Sequence, residues 1–389
     1  MRILALLCLP LVLFAQSSLE AIIQKAMQNN AQIKILQTQI EQLELQARIA
    51  RKWENPNLDA RYNVLDLRDP AYRGSQMQSI GVTLLQKVDL FAKKPLESQK
   101  FSLQKQIKML ELKALRKNLI KKVKLSMIRN YQNKTRISIL QATKKNLTIL
   151  KEQLQSSSDS IPLAKVYNLE ILQTKLEIKL NQLEENTKSE MIDLSEASFG
   201  DYDDVGFVMD FRTDFPPDYY KHAYELEIQQ LRQKIAAKDV ALAKRNFLSD
   251  PTIGIGYFYR QVQSDYMNFS LTFSLPVYGK ERLMLQNARK SAQLESDAYV
   301  DKENSIKSQI HRLQNILQKK QRELGLIEKV LIPQNQKLTN LYSSNLSTTA
   351  SVQEYYSALN ELLDSQLLRI DVLGSIYGAY VELESLGDL

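Results

Sequence analysis

The chain has 389 residues, a formal net charge of +8 and 44% hydrophobic residues, and it contains only 11 Gly and 10 Pro. So few turn-forming residues are typical of long helices rather than of a compact, turn-rich domain. A single cysteine and two histidines exclude a disulfide framework and a soft-ligand metal centre and leave little for catalysis. We therefore predict no cofactor, no metal site and no enzymatic activity.

The chain begins with the features of a secretory signal. Met1 and Arg2 precede an apolar run at 3–14, and Ala15 is a plausible cleavage point. The run is too short for a membrane-spanning helix, so we predict a signal peptide at 1–15, with a buried N-terminal helix as the alternative. No later segment reaches the ~20 apolar residues that a membrane helix needs. If the protein spans a membrane, we expect it to do so with strands.

The sequence repeats one plan, and the repeat sets the predicted domain organisation. Phe91 and Tyr278 are 187 residues apart, as are Gly200 and Gly387, so the long segment between these positions keeps its length in both halves. Each half is predicted to contain a helix, two strands, a very long helix and a final helix. The predicted boundaries are 16–200 for the first repeat, 201–217 for a linker and 218–389 for the second repeat.

Four segments, two in each half, alternate apolar residues with small or polar ones. This period of two predicts strands with one apolar face and one small or polar face. The apolar positions are Leu58, Ala60, Tyr62 and Val64; Ile80, Val82 and Leu84; Ile253, Ile255, Tyr257 and Tyr259; and Phe269, Leu271, Phe273 and Leu275. A soluble hairpin packed on a helix would show the same alternation, but so do strands of a membrane β-barrel, which are apolar outside and polar inside.

The strand pattern has a consequence for assembly. Four strands cannot close a barrel and open strand edges are not tolerated in lipid, so several copies must share one barrel, and three copies would supply twelve strands. We therefore predict a mainly α-helical fold with a β-barrel contribution. Duplicated long helical hairpins form an α-barrel, and four strands per chain complete a twelve-stranded trimeric membrane β-barrel. The residues predicted to face lipid are Tyr62, Val82, Tyr257, Leu271 and Phe273.

The remaining segments carry narrow apolar stripes that are typical of coiled-coil seams. The three stripes are Leu112, Leu115, Leu119, Val123, Met127 and Tyr131; Val166, Leu169, Leu172, Leu176, Leu180 and Leu183; and Ile306, Ile310, Leu313, Leu317, Leu324, Ile327 and Leu331. No Pro or Gly interrupts the chain between Pro95 and about Gln155, and roughly 60 residues at ~1.5 Å each predict about 90 Å of helix. Pro333 lies inside the matching helix of the second half and is expected to bend it. The breaks at 156–162 and 343–349 are predicted to be helical hairpin turns.

After the second break, four acidic residues recur at intervals of 7, 3 and 7 residues, which places them within one arc of a helix. They are Glu354, Glu361, Asp364 and Asp371. In a trimer each position becomes a ring of three carboxylates, and such a ring attracts cations and repels anions. We consider them candidate pore carboxylates, with a solvated outer face as the alternative. Three leucines beside the stripe are predicted to pack this helix against its neighbours, namely Leu359, Leu362 and Leu363.

The net charge is unevenly distributed along the chain. Between Lys100 and Lys151 there are 15 Lys or Arg residues and one acidic residue, Glu111. A helix of this density would suit nucleic acid, but a signal peptide removes the protein from nucleic acid, so we predict no such binding. A solvated outer helix face and a surface facing acidic partner subunits remain as explanations. The acidic cluster within 184–204 leads into the linker and is predicted to be solvated.

The order and duplication of these features resemble the TolC-type outer-membrane efflux channel family. The opening segment 19–30 resembles the amphipathic start of that family, with Ala31 in place of the usual proline. Pro56 and Pro251 stand where family members enter their strands, and 331–342 resembles the family's approach to its second tip. The glycine that is usual at the tips is absent from both.

The resemblance implies a trimer with a twelve-stranded barrel over a helical tunnel, placed in the cell outer membrane with its helical part in the periplasm. It also implies two partners, a periplasmic adaptor (membrane fusion) protein and an inner-membrane pump that delivers substrate. The adaptor is expected to dock at the hairpin tips. The residues expected there are Ser157, Ile161, Pro162, Ser347, Thr348 and Thr349.

From these features we expect an outer-membrane channel subunit of a tripartite efflux system that exports small substrates. Short loops and a length of 389 residues lean towards the heavy-metal cation branch of the family. Efflux of drugs or organic compounds and type I secretion are the alternatives. From another class, a periplasmic coiled-coil scaffold without a pore would explain the helices and the signal peptide but not the four alternating strands.

Overall fold

The computed structural model describes residues 9–63, 67–68, 70, 77–156, 163–198, 200, 214–216, 218–343 and 349–387; the side chains of 9–18, 153–156, 163–165, 197 and 349–353 lie outside this description. The first half contains α1 (Leu9–Asn29), α2 (Ala31–Arg51), β1 (Asn57–Asn63), β2 (Ser79–Lys87), α3 (Lys93–Ser156) and α4 (Leu163–Ser198). The second half contains a 3₁₀ turn (Tyr219–His222), α5 (Tyr224–Arg245), β3 (Thr252–Tyr259), β4 (Tyr266–Thr272), α6 (Lys280–Leu326), a π-helix (Ile327–Leu331), α7 (Ile332–Ser343) and α8 (Thr349–Glu384).

These elements form two compact units. The hairpin unit consists of Met1–Lys34, Leu112–Tyr224 and Asn304–Leu389, and the sheet unit consists of Ile35–Glu111 and Glu225–Glu303. The hairpin unit holds α1, α4, α7, α8 and most of α3, whereas the sheet unit holds the four strands and most of α5. Both units draw on both halves of the chain.

The sheet unit contains one antiparallel sheet in the order β1-β2-β3-β4. Val82 of β2, for example, lies between Ala60 of β1 and Tyr257 of β3. Strands β1 and β3 begin directly after Pro56 and Pro251. Proline has no N–H to donate to a strand ladder, so it is suited to the boundary of a strand rather than to its interior. The four strands predicted from the alternating pattern are confirmed.

Two residues with a left-handed backbone precede the two longest helices. Among the described residues, positive φ occurs at Ala92 (52°) and Gly279 (72°), 187 residues apart like Phe91 and Tyr278. A residue with a side chain is disfavoured in this conformation by roughly 1–2 kcal/mol. At Ala92 the Arg245 guanidinium donates hydrogen bonds to the carbonyl oxygens of Phe91 and Ala92 at 2.9 and 2.6 Å. These bonds stabilise the turn at Ala92, whereas the equivalent turn of the second half has glycine at position 279.

In the hairpin unit, α3 supplies basic side chains to acidic ones on α4 and α8. The ion pairs are Arg129–Glu190 (2.7 Å), Lys144–Glu177 (3.3 Å) and Lys151–Glu170 (2.8 Å) with α4, and Lys121–Glu382 (2.5 Å), Lys124–Glu384 (2.6 Å) and Arg136–Asp371 with α8. Partly exposed pairs each contribute only ~0.2–1 kcal/mol, but they fix which helices are neighbours. These six basic residues therefore have acidic partners within the same chain, although Arg129 and Lys144 remain 48% and 39% exposed.

Apolar side chains fill the spaces between the same helices. One cluster joins α3, α4 and α8 and includes Leu147, Leu169 and Leu359. A second cluster joins α1, α3 and α4 around Val123 and Leu194. The buried members of the three predicted stripes are Leu119, Val123 and Met127; Leu169, Leu176 and Leu180; and Ile306, Ile310, Leu317 and Ile327. Each predicted seam thus has a buried centre, the other members are half-buried, and Leu331 at the end of the third stripe is exposed.

The second hairpin is interrupted close to Pro333. A π-helix at Ile327–Leu331 separates α6 from α7, and Pro333 is the second residue of α7. Proline lacks an N–H and its ring collides with the carbonyl group four residues earlier, and the wider π-turn relieves that conflict. Within this turn Glu328 accepts a hydrogen bond from Arg369 of α8 at 2.6 Å. Next to Pro333, where the sequence predicts a bend, the helix is thus interrupted by a π-helix.

The predicted first helix is divided into α1 and α2 at Asn30. The Asn30 side-chain oxygen accepts hydrogen bonds from the backbone N–H groups of Gln32 (2.9 Å) and Ile33 (3.3 Å), which is the arrangement of a helix N-cap. The predicted signal peptide at 1–15 overlaps the start of α1 and stays a prediction. Within the described part of the chain, no helix combines the length and the apolar character needed to cross a membrane.

Candidate functional site

One face of the sheet presents apolar side chains to the surroundings. Val82 is 46% exposed, Tyr257 54% and Leu271 62%, although all three lie inside strands. Intervening residues such as Gly81 and Thr83 are buried, so exposure alternates along the strand as the sequence pattern predicts. A contiguous exposed apolar surface of this kind marks contact with a protein or a membrane.

Four of the five residues predicted to face lipid lie on this apolar face. Tyr62 is half-buried, whereas Val82, Tyr257 and Leu271 are exposed. Val82 and Tyr257 are direct neighbours across β2 and β3. Val64, which the pattern assigns to the same strand as Tyr62, lies outside the described residues. That this face meets lipid stays a prediction.

The strand assignment of Phe273 is wrong. Strand β4 ends at Thr272, whose partner Thr252 is the first residue of β3, so β3 offers no further residue to pair with. Beyond this point the backbone N–H of Ser274 donates to the Ser249 hydroxyl at 2.8 Å, a side-chain contact in place of strand pairing. Phe273 is exposed at the end of the strand. Leu275 of the same predicted strand also lies beyond its end.

The opposite face of the sheet carries small and polar side chains. Arg61 donates two hydrogen bonds to the Asp59 carboxylate at 2.8 and 2.5 Å, two residues earlier on β1. Asn63 donates to the Ser79 hydroxyl at 2.9 Å across the β1–β2 pair. Polar groups on this face therefore bind one another, which suits a surface in contact with water.

This polar face also holds two aromatic residues that the alternating pattern leaves unexplained. Phe258 is only 4% exposed, and its ring stacks on Tyr266 with centroids 4.9 Å apart and planes 6° apart. A Cβ atom added at Gly81 would lie 2.1 Å from the Phe258 ring, and one added at Gly256 would lie 2.9 Å from it. The ring therefore lies flat over two glycines. Gly81 lies opposite Phe258, and Gly256 lies two residues before it on the same strand. Glycines in these positions beside an aromatic residue are the sequence signal for this arrangement.

The loop between β3 and β4 is held by its own side chains. Asp265 accepts hydrogen bonds from the Tyr257 hydroxyl and from the backbone N–H of Arg260, the latter at 3.0 Å. The Tyr257 bond, followed by the Arg260 bond, lowers the pKa of the Asp265 carboxyl. The Arg260 guanidinium donates to the Ser264 carbonyl oxygen at 2.9 and 2.7 Å and lies 4.9 Å from the centroid of the Tyr266 ring. A loop tied at this many points keeps β3 and β4 in register.

The four candidate pore carboxylates lie on α8 in the hairpin unit. Glu354, Glu361, Asp364 and Asp371 are all exposed. Asp371 forms an ion pair with Arg136 of α3, so part of its charge is balanced within the chain. Seven residues of helix rise about 10 Å and three residues about 4.5 Å, so Glu361 and Asp364 lie within one turn and Glu354 and Asp371 lie farther along α8. In the described ranges, no group of three or more His, Cys, Asp or Glu side chains is placed to hold a metal ion.

The residues beside this stripe pack α8 against its neighbours. Leu359 and Leu363 are buried in the cluster between α3, α4 and α8, and Leu362 is half-buried. Tyr356 belongs to the same cluster, and its hydroxyl is buried without a hydrogen-bond partner among the described residues. Burial raises the pKa of Tyr356 above its ordinary value. The leucine packing predicted for α8 is confirmed, and it leaves the acidic stripe on the outside of this cluster.

The expected adaptor-docking tips are largely outside the described residues. This applies to Ser157, Ile161, Pro162, Ser347 and Thr348. Thr349 is the first residue of α8, and its side chain also lies outside the description. Docking of an adaptor at the tips therefore stays a prediction.

Comparison with known proteins gives a consistent result at the level of fold. No protein-family model matches the sequence, and no curated protein matches it. Among solved structures, the chain is similar to CusC, whose structures concern transmembrane channel formation, with 13% identity, a TM-score of 0.79, and coverage of 96% of this chain and 92% of CusC. It is also similar to the outer membrane protein VceC of Vibrio cholerae, with 15% identity, a TM-score of 0.75, and coverage of 97% and 98%. The outer-membrane channel OprN gives 13% identity, a TM-score of 0.75, and coverage of 95% and 90%.

The chain therefore has the fold of the TolC-type outer-membrane channels, as the sequence resemblance predicts. Long helical hairpins joined to one four-stranded antiparallel sheet account for that fold. Each match extends over nearly the full length of both chains, so hairpins and sheet are both included. The shared barrel of three copies stays a prediction.

Proposed function

We propose that this chain is the outer-membrane channel subunit of a tripartite efflux system. The observation that carries the proposal is the exposed apolar face of the sheet, for example at Val82 and Leu271. Apolar surface gains ~25 cal/mol for each Å² removed from water, so a face of this kind is stable against lipid and costly in water. The likeness in fold to outer-membrane channels supports lipid as the surrounding medium.

We propose that three copies share one barrel. In the described sheet β1 pairs with β2 alone and β4 pairs with β3 alone, so each copy has two open edges. Unsatisfied backbone groups in lipid cost several kcal/mol each, and pairing of β1 with β4 of the next copy removes that cost. Exposed apolar residues on α6 support contact between copies as well. Examples are Leu283, Leu294 and Val300, which are 66%, 69% and 53% exposed.

We propose that the helical hairpins form the periplasmic part of the channel and receive substrate from a periplasmic adaptor and an inner-membrane pump. The ion pairs and buried stripes that join α3 to α4 and α8 support a stiff helical wall. The adaptor would meet the turns that follow α3 and α7. The protein would then reside in the outer membrane with these helices in the periplasm.

The proposed substrates are small solutes, with heavy-metal cations first. The exposed carboxylates of Glu361 and Asp364, repeated three times in a trimer, would attract cations without binding them tightly. Selectivity would then belong mainly to the pump, and drugs or organic compounds and type I secretion are the other candidates. A deletion strain should become sensitive to metal salts. Sensitivity to drugs alone would overturn the preference for metal.

The test of the channel is to purify the protein from outer membranes in detergent, measure its native mass, and insert it in a planar bilayer. We expect three copies per particle and stepwise conductance. A soluble periplasmic monomer without conductance would contradict the proposal and would favour a coiled-coil scaffold. Neither measurement depends on the identity of the substrate.

The same bilayer measurement tests the candidate pore carboxylates. We expect the double variant Glu361→Gln with Asp364→Asn to lose cation preference and block by multivalent cations, because the charged rings are neutralised. Glu185→Gln on α4, also exposed, is the matched control. Unchanged selectivity in the double variant would place the stripe on the outer surface.

A further inference from the structure

One row of residues across the polar face of the sheet differs from the rest. Arg61, Gly81, Phe258 and Tyr266 are paired in succession across β1, β2, β3 and β4. The next row along the strands, Asp59, Thr83, Gly256 and Asn268, contains no aromatic residue. Among the described residues, the aromatic side chains of this face are therefore confined to one level of the sheet, whereas the bulky Leu85 lies two rows away, opposite Gly254.

The conformation of Phe258 depends on the glycines beneath it. A Cβ atom added at Gly81 would lie 2.1 and 2.3 Å from two atoms of the Phe258 ring, far closer than real contacts allow. On its own strand, a Cβ atom at Gly256 would come within 2.9 Å of the same ring. Tyr266 stacks on the ring and occupies the space on the β4 side. A side chain at position 81 must therefore displace the ring from its flat position, since a Gly in a strand interior often marks the close approach of another group.

We propose that Gly81 keeps the channel unobstructed at the level of Phe258 by letting the aromatic ring lie flat on the sheet. This rests on the proposed function, in which the polar face lines the lumen. Three copies would place three aromatic pairs at one level, so each change at position 81 would act three times around the pore.

The experiment compares single-channel conductance of the full-length trimer in planar bilayers. Gly81→Ala is expected to lower the conductance because it lifts the ring of Phe258 into the lumen. Adding Phe258→Ala to Gly81→Ala is expected to restore it, since the lifted ring is gone. Gly254→Ala is the matched control: its Cβ atom would meet the Ser270 hydroxyl and the Leu85 side chain at 2.3 and 2.7 Å, and both are side-chain ends that can rotate.

A second variant keeps the proposal testable if Gly81→Ala fails to assemble. Phe258→Ala alone should leave the conductance close to that of the wild type, because a flat ring obstructs little. A large rise in conductance in this variant would show that the ring already projects into the lumen, and would overturn the proposal.

The outcomes separate this inference from the channel proposal itself. If the wild-type trimer gives no conductance, the channel proposal fails and the role of Gly81 fails with it. If the wild type conducts and assembled Gly81→Ala conducts equally well, only the role of Gly81 is overturned. Equal losses in Gly81→Ala and Gly254→Ala would also overturn it, because the loss would then follow from any added side chain on this face.

Discussion

The hairpin unit and the sheet unit place their apolar side chains in opposite ways. Leu147 and Leu169 are fully buried between α3, α4 and α8. On the sheet, Phe269 and Leu271 remain 70% and 62% exposed although the strands are complete. Both units follow a regular apolar pattern in the sequence, so the pattern alone does not decide whether the residues become buried within one chain.

The difference shows which partner each unit has. A helical stripe meets another stripe of the same chain, because the ion pairs of α3 bring α4 and α8 against it. A strand face that no helix covers needs a partner outside the chain, and full burial of one large apolar side chain is worth ~1.5–3 kcal/mol. The hairpin leucines therefore stabilise the chain itself, whereas the apolar side chains of the sheet face are available for a contact outside it.

The largest expected effect tests the hairpin side of this comparison. Leu147→Ala should lower the stability of the helical part by about 2–5 kcal/mol, because it leaves a cavity in the cluster between three helices. Thermal unfolding in detergent, followed by helical circular dichroism, measures the change. Leu271→Ala removes the same atoms from the exposed sheet face and is the control, with little change expected. Equal losses in both variants would break the comparison.

A smaller effect of opposite sign is expected at Tyr356. Its hydroxyl is buried without a hydrogen-bond partner among the described residues, and an unsatisfied buried polar group costs ~1–3 kcal/mol. Tyr356→Phe should therefore raise the unfolding temperature. Tyr257→Phe is the matched control, because it removes a hydroxyl that is bound to Asp265. A loss of stability in Tyr356→Phe would mean that its hydroxyl has a partner in the assembled protein.

Much of the fold followed from the sequence because its signals are local. Alternation at Ile253, Ile255 and Tyr257 predicts a strand with an exposed apolar face, and the strand has one. The interval of 187 residues predicts equivalent turns before the long helices, and Ala92 and Gly279 share a left-handed backbone there. Periodicity and turn chemistry act over a few residues, so one sequence suffices to read them.

What could not be predicted depends on distant pairs. The join between β2 and β3 places Ile80 opposite Tyr259, and nothing near either residue in the sequence indicates it. The acidic partners of the basic run of α3 within the chain are remote in sequence; Lys121, for example, binds Glu382. Charge density in one segment says nothing about which helix will lie beside it.

The candidate site was predicted in outline and missed in detail. The apolar face was predicted residue by residue at Val82 and Tyr257, but the alternation could not show where β4 stops, so Phe273 was assigned to the strand. The alternation places Phe258 on the polar face. A period of two cannot show that its ring lies flat over Gly81 and Gly256. Strand ends and ring orientation are set by neighbouring strands, which no single segment encodes.

The central claim, that the apolar face of the sheet meets lipid, is tested most directly by fluorescence quenching with brominated lipids. The single tryptophan, Trp53, is first replaced by phenylalanine, and tryptophan is then placed on β4 by Leu271→Trp or by Ser270→Trp. These neighbours point to opposite faces of one strand, so they form a matched pair. We expect strong quenching in Leu271→Trp and little in Ser270→Trp. Equal quenching, or stronger quenching in Ser270→Trp, would contradict it.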